Sequence, residues 1–132
     1  MICLIDHNLK GHALVFFGAI ASQGWLDIVP IQFVTFDELD LPTDSDDRIV
    51  WHLAQKNQMV LLTANRSMKG KDSLEQVMRE ENVAESLPVV TISNADRLLN
   101  DPEYRGRCVE SLVEIALSLD SYRGARRVFV PL

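Results

Sequence analysis

The side chains of this 132-residue chain best placed for chemistry are acids and amides that stand just behind short apolar runs. The first nine residues, MICLIDHNL, set the pattern. Residues 2–5 are wholly apolar, Asp6 follows at once, and Asn8 stands two residues later. A short continuous apolar run reads as a strand buried on both faces of a parallel sheet. An acid directly behind such a strand sits at the sheet's carboxyl edge, where open α/β folds place their sites. The same acid can cap the helix that begins near Leu9, and one residue can do both. Asn65 leaves a second apolar strand in the same way, and Ser93, Asn94 and Asp96 leave a third. Asp46 and Asp47 open the helix in front of the second of these strands. Carboxylates gathered at one edge repel unless something positive sits among them. A hard divalent cation, Mg²⁺ or Mn²⁺, with oxygen ligands is the usual answer.

The elements that must position these residues alternate along the chain. After the first strand, Leu9, Ala13, Leu14, Phe16, Phe17, Ile20 and Ala21 recur at helical spacing, and Gly24 offers a stop. Ile28 to Phe36 reads as strand 2, with Pro30 near its start. Residues 37–47 hold six acids and no base, and form a loop with at most one helical turn, since Pro42 blocks a longer one. Asp44 or Ser45 caps a helix over 45–56, whose first turn carries Asp46 and Asp47 at the positive end of its dipole. Met59 to Thr63 is strand 3. The basic stretch 66–73 is a loop, a polar helix spans Ser73 to Asn82, and Leu87 to Ser93 is strand 4. Asp101-Pro102 starts a long final helix, and Val128 to Val130 is strand 5. The alternation predicts a single domain over 1–132, a three-layer α/β/α sandwich around a mainly parallel five-stranded sheet.

Composition excludes several classes. Hydrophobic residues make up 47%, and no apolar run approaches a membrane span. No signal-peptide pattern opens the chain. Cys3 and Cys108 each fall in an apolar stretch, as expected of free thiols in a reducing, cytoplasmic protein. The net charge of −6 argues against a constitutive nucleic-acid binder, yet the charges are segregated. Arginines collect in the C-terminal third, and Arg66, Lys69 and Lys71 cluster behind strand 3. His7, His12 and His52 lack helical metal-ligand spacing, and no cysteine stands beside them to complete a zinc site. Phosphate loops and the G-x-S-x-G elbow are missing. Trp25 and Trp51 read as packing residues.

Three motifs together resemble the PIN-like domain family. They are Asp6-x-Asn8-Leu9 after a short strand, Ser45-Asp46-x-x-Ile49 opening a helix, and Val60-Leu-Leu-Thr63 followed by a polar turn. The similarity covers roughly residues 1–67, and beyond that only the order of elements agrees. Its simplest members are small stand-alone bacterial proteins that begin D-x-N-L. The resemblance implies a sheet ordered 3-2-1-4-5 with strand 1 central. It also implies a metal-dependent ribonuclease ancestry, often the toxin of a toxin–antitoxin pair. On that pattern Asp6 and Asp46 are metal ligands and the catalytic pair, and Asn8 supports them by hydrogen bonding. The family commonly has an aspartate where this chain has Asn65, and often an acid where it has His7.

Two functions of different class follow. In the first, Asp6 and Asp46 hold Mg²⁺ or Mn²⁺, Asp47 or Asp96 completes the shell, and Arg66, Lys69 and Lys71 hold the backbone of single-stranded RNA. Asn65 and Ser93 line that site. An antitoxin protein and a second copy of the chain are further candidate partners. In the second, the fold has lost its chemistry and serves as an interaction or regulatory module. Asn65 and His7, two acidic charges fewer at the site, and the net charge favour the second function. The surviving Asp6, Asn8 and Asp46 favour the first.

Overall fold

The computed structural model describes residues 1–66 and 72–132. Lys69 and Lys71, expected above to hold RNA, lie outside the described residues. Five strands, β1 (Ile2–Ile5), β2 (Gln32–Val34), β3 (Val60–Thr63), β4 (Val89–Ile92) and β5 (Arg127–Val130), form one sheet in which every pair is parallel. The helices are α1 (Lys10–Ser22), α2 (Asp47–Lys56), α3 (Leu74–Glu81), α4 (Ala95–Asn100) and α5 (Pro102–Leu117). Among the described residues no helix is long and apolar enough to cross a membrane.

The strands alternate between two cores, as a period of two requires. Cys3, Ile5, Val60, Leu62, Val90 and Ile92 face one core, which α1, α4 and α5 close with Phe16, Ile20, Leu98, Leu112 and Ile115. Leu4, Leu61 and Val89 face the other, closed by Val50, Trp51 and Ala54 of α2 and Leu74, Val77 and Met78 of α3. This is the expected three-layer sandwich. Burial pushes the Cys3 thiol up to about 12 and the Cys108 thiol up to about 11, so both are inert packing groups.

The strand order is β2-β1-β3-β4-β5, which corrects the expected 3-2-1-4-5. Strand 1 is interior, but β3 holds the middle and separates it from β4. The reason is burial. All four residues of β3 are buried, whereas β2 is shorter and its Gln32 is exposed. A strand of four buried residues needs neighbours on both edges and helices on both faces, so β3 inserts between β1 and β4 and leaves β2 outside. The chain runs outward from β1 to β2 through α1, then crosses back past β1 through α2 to β3 and continues the other way to β4 and β5. The carboxyl ends of β1 and β3 therefore flank the topological switch point, the crevice where such sheets bind ligands.

Element boundaries shift too. Strand 2 shrinks from 28–36 to 32–34, although Val29 and Ile31 still pack into the core. Asp46, rather than Asp44 or Ser45, caps α2. The segment behind β4 folds into the short helix α4, capped by Asn94, before Asp101 caps α5.

β5 is tied to the rest of the sheet by Arg127, whose side chain is 8% exposed. Its Nη1 donates to the Asn65 carbonyl at 2.6 Å and to Thr91 Oγ1 at 2.7 Å, and Nη2 pairs with Glu75 at 3.2 Å. Arg127→Met keeps the stem but strands three acceptors in a partly buried setting. It should cost about 2–4 kcal/mol of stability in urea unfolding, with Glu75→Gln costing less.

Candidate functional site at the carboxyl edge of strands 1 and 3

The site begins where β1 ends. Asp6 extends the ladder by one bond, its N–H donating to the Leu62 carbonyl at 3.0 Å. The chain then turns through a short 3₁₀ segment, His7–Leu9. Asp6 occupies the capping position of that turn, but its carboxylate makes no capping hydrogen bond. Instead its Oδ2 accepts from Thr63 Oγ1 at 2.6 Å, across the sheet at the end of β3. The two roles weighed for Asp6 are thereby separated: its backbone serves the turn and its side chain serves the edge.

From Thr63 the hydrogen bonds continue. Thr63 Oγ1 accepts from the Asn65 N–H at 2.9 Å, and Asn65 Nδ2 donates to Asp47 Oδ2 at 3.0 Å. The Leu74 N–H, at the first position of α3, donates to the same Asp47 oxygen at 3.0 Å. A hydroxyl carries one donor and two acceptor sites, so Thr63 can serve Asp6 and Asn65 at once. One thread thus joins β1, β3, α2 and α3.

Asp46 caps α2, its Oδ1 accepting from the Ile49 N–H at 2.9 Å. Asp47 follows in the first turn, where the helix dipole favours negative charge. The balance at Asp47 still goes the other way. Burial raises its pKa above the usual carboxylate range. The Asn65 and Leu74 hydrogen bonds oppose that rise, and the charges of Asp6 and Asp46 add to it. Among the described residues no lysine, arginine or histidine pairs with Asp6, Asp46 or Asp47. Asp6 Oδ1 and Asp47 Oδ1 accept no hydrogen bond there either.

Other expected site residues lie apart from this trio. Asp96, at the start of α4, is 86% exposed and meets His12 Nε2 of α1 at 3.2 Å. It stands on the α1 side of the sheet, while Asp47 rises from α2 on the opposite face. Ser93 contributes its backbone N–H to the Val130 carbonyl, continuing the β4–β5 ladder. Asn8 is exposed, and no hydrogen bond links it to the acids among the described residues. Arg66 is exposed beside Asn65. The His7 ring lies 6.1 Å from that of Phe36, an aromatic contact.

Two residues of the network escaped the sequence reading. Thr63 ends an otherwise apolar strand, and period-two alternation turns it with Leu61 towards α2. Arg127 opens an otherwise apolar strand, and a lone cation in that position signals a buried partner. Both signals are visible in the sequence, but neither residue type announces chemistry alone.

The raised pKa of Asp47 has a consequence for stability. Its folded value lies above the unfolded value of 3.8, so the fold disfavours the ionised form. That penalty is absent below the unfolded pKa, grows as pH rises through the folded pKa, and is fully present at pH 7. Asn at this position keeps an oxygen for Asn65 and Leu74 and removes the charge. Asp47→Asn should therefore raise the melting temperature at pH 7, with the gain shrinking as the pH falls towards 3.8. Calorimetry across that range checks it, and an equal or lower melting temperature at pH 7 counts against the electrostatic balance described.

The chain matches no family model, no curated protein and no solved structure. A functional reading therefore rests on the site's own geometry and on the sequence motifs.

Proposed function

We propose that the chain is a divalent-metal-dependent endoribonuclease of PIN-like ancestry. One observation carries the proposal: the charges of Asp6 and Asp46 both bear on the half-buried Asp47 carboxylate at the switch point, and no cationic side chain pairs with any of the three among the described residues. Like charges held this way cost stability, and a bound cation reverses the sign of the interaction.

Whether Mg²⁺ fits can be judged from the donors. Among the described residues no group of three or more His, Cys, Asp or Glu side chains converges to cage an ion. Mg²⁺ does not need a cage, since it is commonly held by one or two carboxylates and keeps several waters. The Oδ1 atoms of Asp6 and Asp47, which accept no hydrogen bond among the described residues, supply that minimum, with Asp46 adjacent. When bound, the ion would lower the pKa of a coordinated water and neutralise charge on a phosphodiester. Thr63 orients the Asp6 carboxylate, and Asn65 orients that of Asp47. Single-stranded RNA is the substrate on this reading, an antitoxin its protein partner, and a reducing cytoplasm its setting, as the unpaired cysteines suit.

The second reading, a module without chemistry, draws on a specific feature. Asn65 already satisfies Asp47 with an amide donor, in the position where the family commonly carries an acid. The strand order also departs from the one the resemblance implies.

Metal titration separates the two. Mn²⁺ binding to the folded site alone should raise the melting temperature as RT ln(1 + [Mn²⁺]/Kd), and Asp6→Asn should abolish the rise. Cleavage of a quenched single-stranded RNA should fall by at least about a hundredfold in Asp6→Asn, because a ligand of the metal is lost. Asn65→Asp should tighten Mn²⁺ binding by calorimetry and speed cleavage, at the expense of stability without metal. A melting temperature indifferent to Mn²⁺ in both wild type and Asn65→Asp, with no cleavage by either, would leave the interaction module as the function.

A further inference from the structure

The edge strand β5 carries a pocket that the acidic site does not use. It has a volume of about 380 Å³ and is lined by Arg66, Glu75, Ala125, Arg126, Arg127 and Phe129. Arg127 and Phe129 alternate with the core residues Val128 and Val130, so both face the α2/α3 side. Among the described residues no helix closes that side over β5, and Phe129 is 46% exposed there. The Arg127 guanidinium lies 5.8 Å from the centre of the Phe129 ring, with its hydrogen bonds spent on Asn65, Thr91 and Glu75. Glu75 offsets Arg127, which leaves Arg66 and Arg126 at the pocket.

Those two guanidinium groups differ from most of the other arginines. Most other arginines are consumed internally: Arg48 by Asp72, Glu80 and Glu81, Arg97 by Asp101, Arg105 by the Leu98 carbonyl, Arg123 by Asp120. Among the described residues neither Arg66 nor Arg126 forms an ion pair. Arg126 is held in a left-handed backbone conformation, φ 67°, and its carbonyl accepts from the Val89 N–H at 2.7 Å. An exposed aromatic face beside unspent cations matches the two parts of a nucleotide: a base stacks on the ring, and a phosphate meets the guanidinium groups. The pocket also adjoins the acidic edge, because Arg66 follows Asn65 in the chain and Arg127 grips the Asn65 carbonyl.

We propose that this pocket seats one nucleotide of single-stranded RNA, its base on Phe129 and its phosphate between Arg66 and Arg126, beside the Asp6–Asp47 centre. The substrate class rests on the ribonuclease reading, while the seat itself does not depend on cleavage. The binding mode suits a chain of net charge −6, since a local pair of unspent guanidinium groups can meet a phosphate without a basic face.

The test is fluorescence anisotropy of a labelled single-stranded RNA decamer in EDTA, which removes cleavage from the readout. Phe129→Ala should weaken binding about tenfold, as loss of one stacked base does, and Phe129→Leu should not restore it. Arg126→Ala should weaken binding and lower the salt slope by about one. Lys56→Ala, which removes a charge at the far end of α2, should change neither. Duplex RNA should bind more weakly, its bases being already stacked. Decamer binding that is equal in wild type, Phe129→Ala and Arg126→Ala overturns the seat, as does binding that Phe129→Leu fully restores. Absence of binding also overturns it. The ribonuclease reading is judged separately, by Mn²⁺-dependent cleavage and its loss in Asp6→Asn. Cleavage with an unchanged KM in Phe129→Ala would sink the seat and leave the enzyme standing.

Discussion

The hydrogen bond from Thr63 to Asp6 is the contact on which the edge depends. It joins the ends of two interior strands and fixes a carboxylate that would otherwise swing in the turn behind β1. A short bond between a hydroxyl and an ionised acceptor is among the stronger hydrogen bonds a protein makes. It also hands the thread on, since the same hydroxyl receives the Asn65 N–H and Asn65 reaches Asp47. Acids from two different elements are thus held near one another against their repulsion, by donors that carry no full charge. That arrangement leaves negative potential at the switch point, whereas a salt bridge would have cancelled it.

Arg127 plays the complementary part from the other end of the sheet. It brings a full positive charge to the same Asn65, but spends that charge on Glu75, the Thr91 hydroxyl and the Asn65 carbonyl. The backbone of Asn65 is gripped by a cation while its side chain serves an anion. Asn65 is therefore the hinge between the acidic edge and the basic pocket on β5. Its amide satisfies Asp47 as a neutral donor, which an aspartate at this position could do only if protonated.

The layers and a mainly parallel sheet were legible in the sequence, as was the position of Asp6 and Asn65 behind strand ends, because short apolar runs followed by polar residues have few other solutions. The strand order was not. The resemblance pointed to one order, and the relative burial of VLLT and QFV decided on another. Capping by Asp46 was missed by one or two residues, since Asp44, Ser45 and Asp46 all suit the position and only the turn before the helix selects among them. Asp96 looked like a ligand because strand 4 ends at the same edge, yet α4 carries it to the α1 face and His12. The arginines collected in the C-terminal third showed no partners in the sequence, and most proved to be internal partners of caps and carbonyls. Pairwise chemistry of this kind is fixed by packing, which residue spacing does not encode.

The central claim is that the carboxyl edge of β1 and β3 is a divalent-cation site. The most direct measurement is a Mg²⁺ titration of the ¹⁵N-labelled protein by NMR, with Mn²⁺ added in trace for paramagnetic broadening. The account predicts that shifts and broadening centre on the amides of Asp6, His7, Asp47 and Asn65 and on the Asn65 side-chain NH₂. Perturbation centred on Asp96 or on the acidic loop at 37–44, or no perturbation at millimolar Mg²⁺, would contradict it.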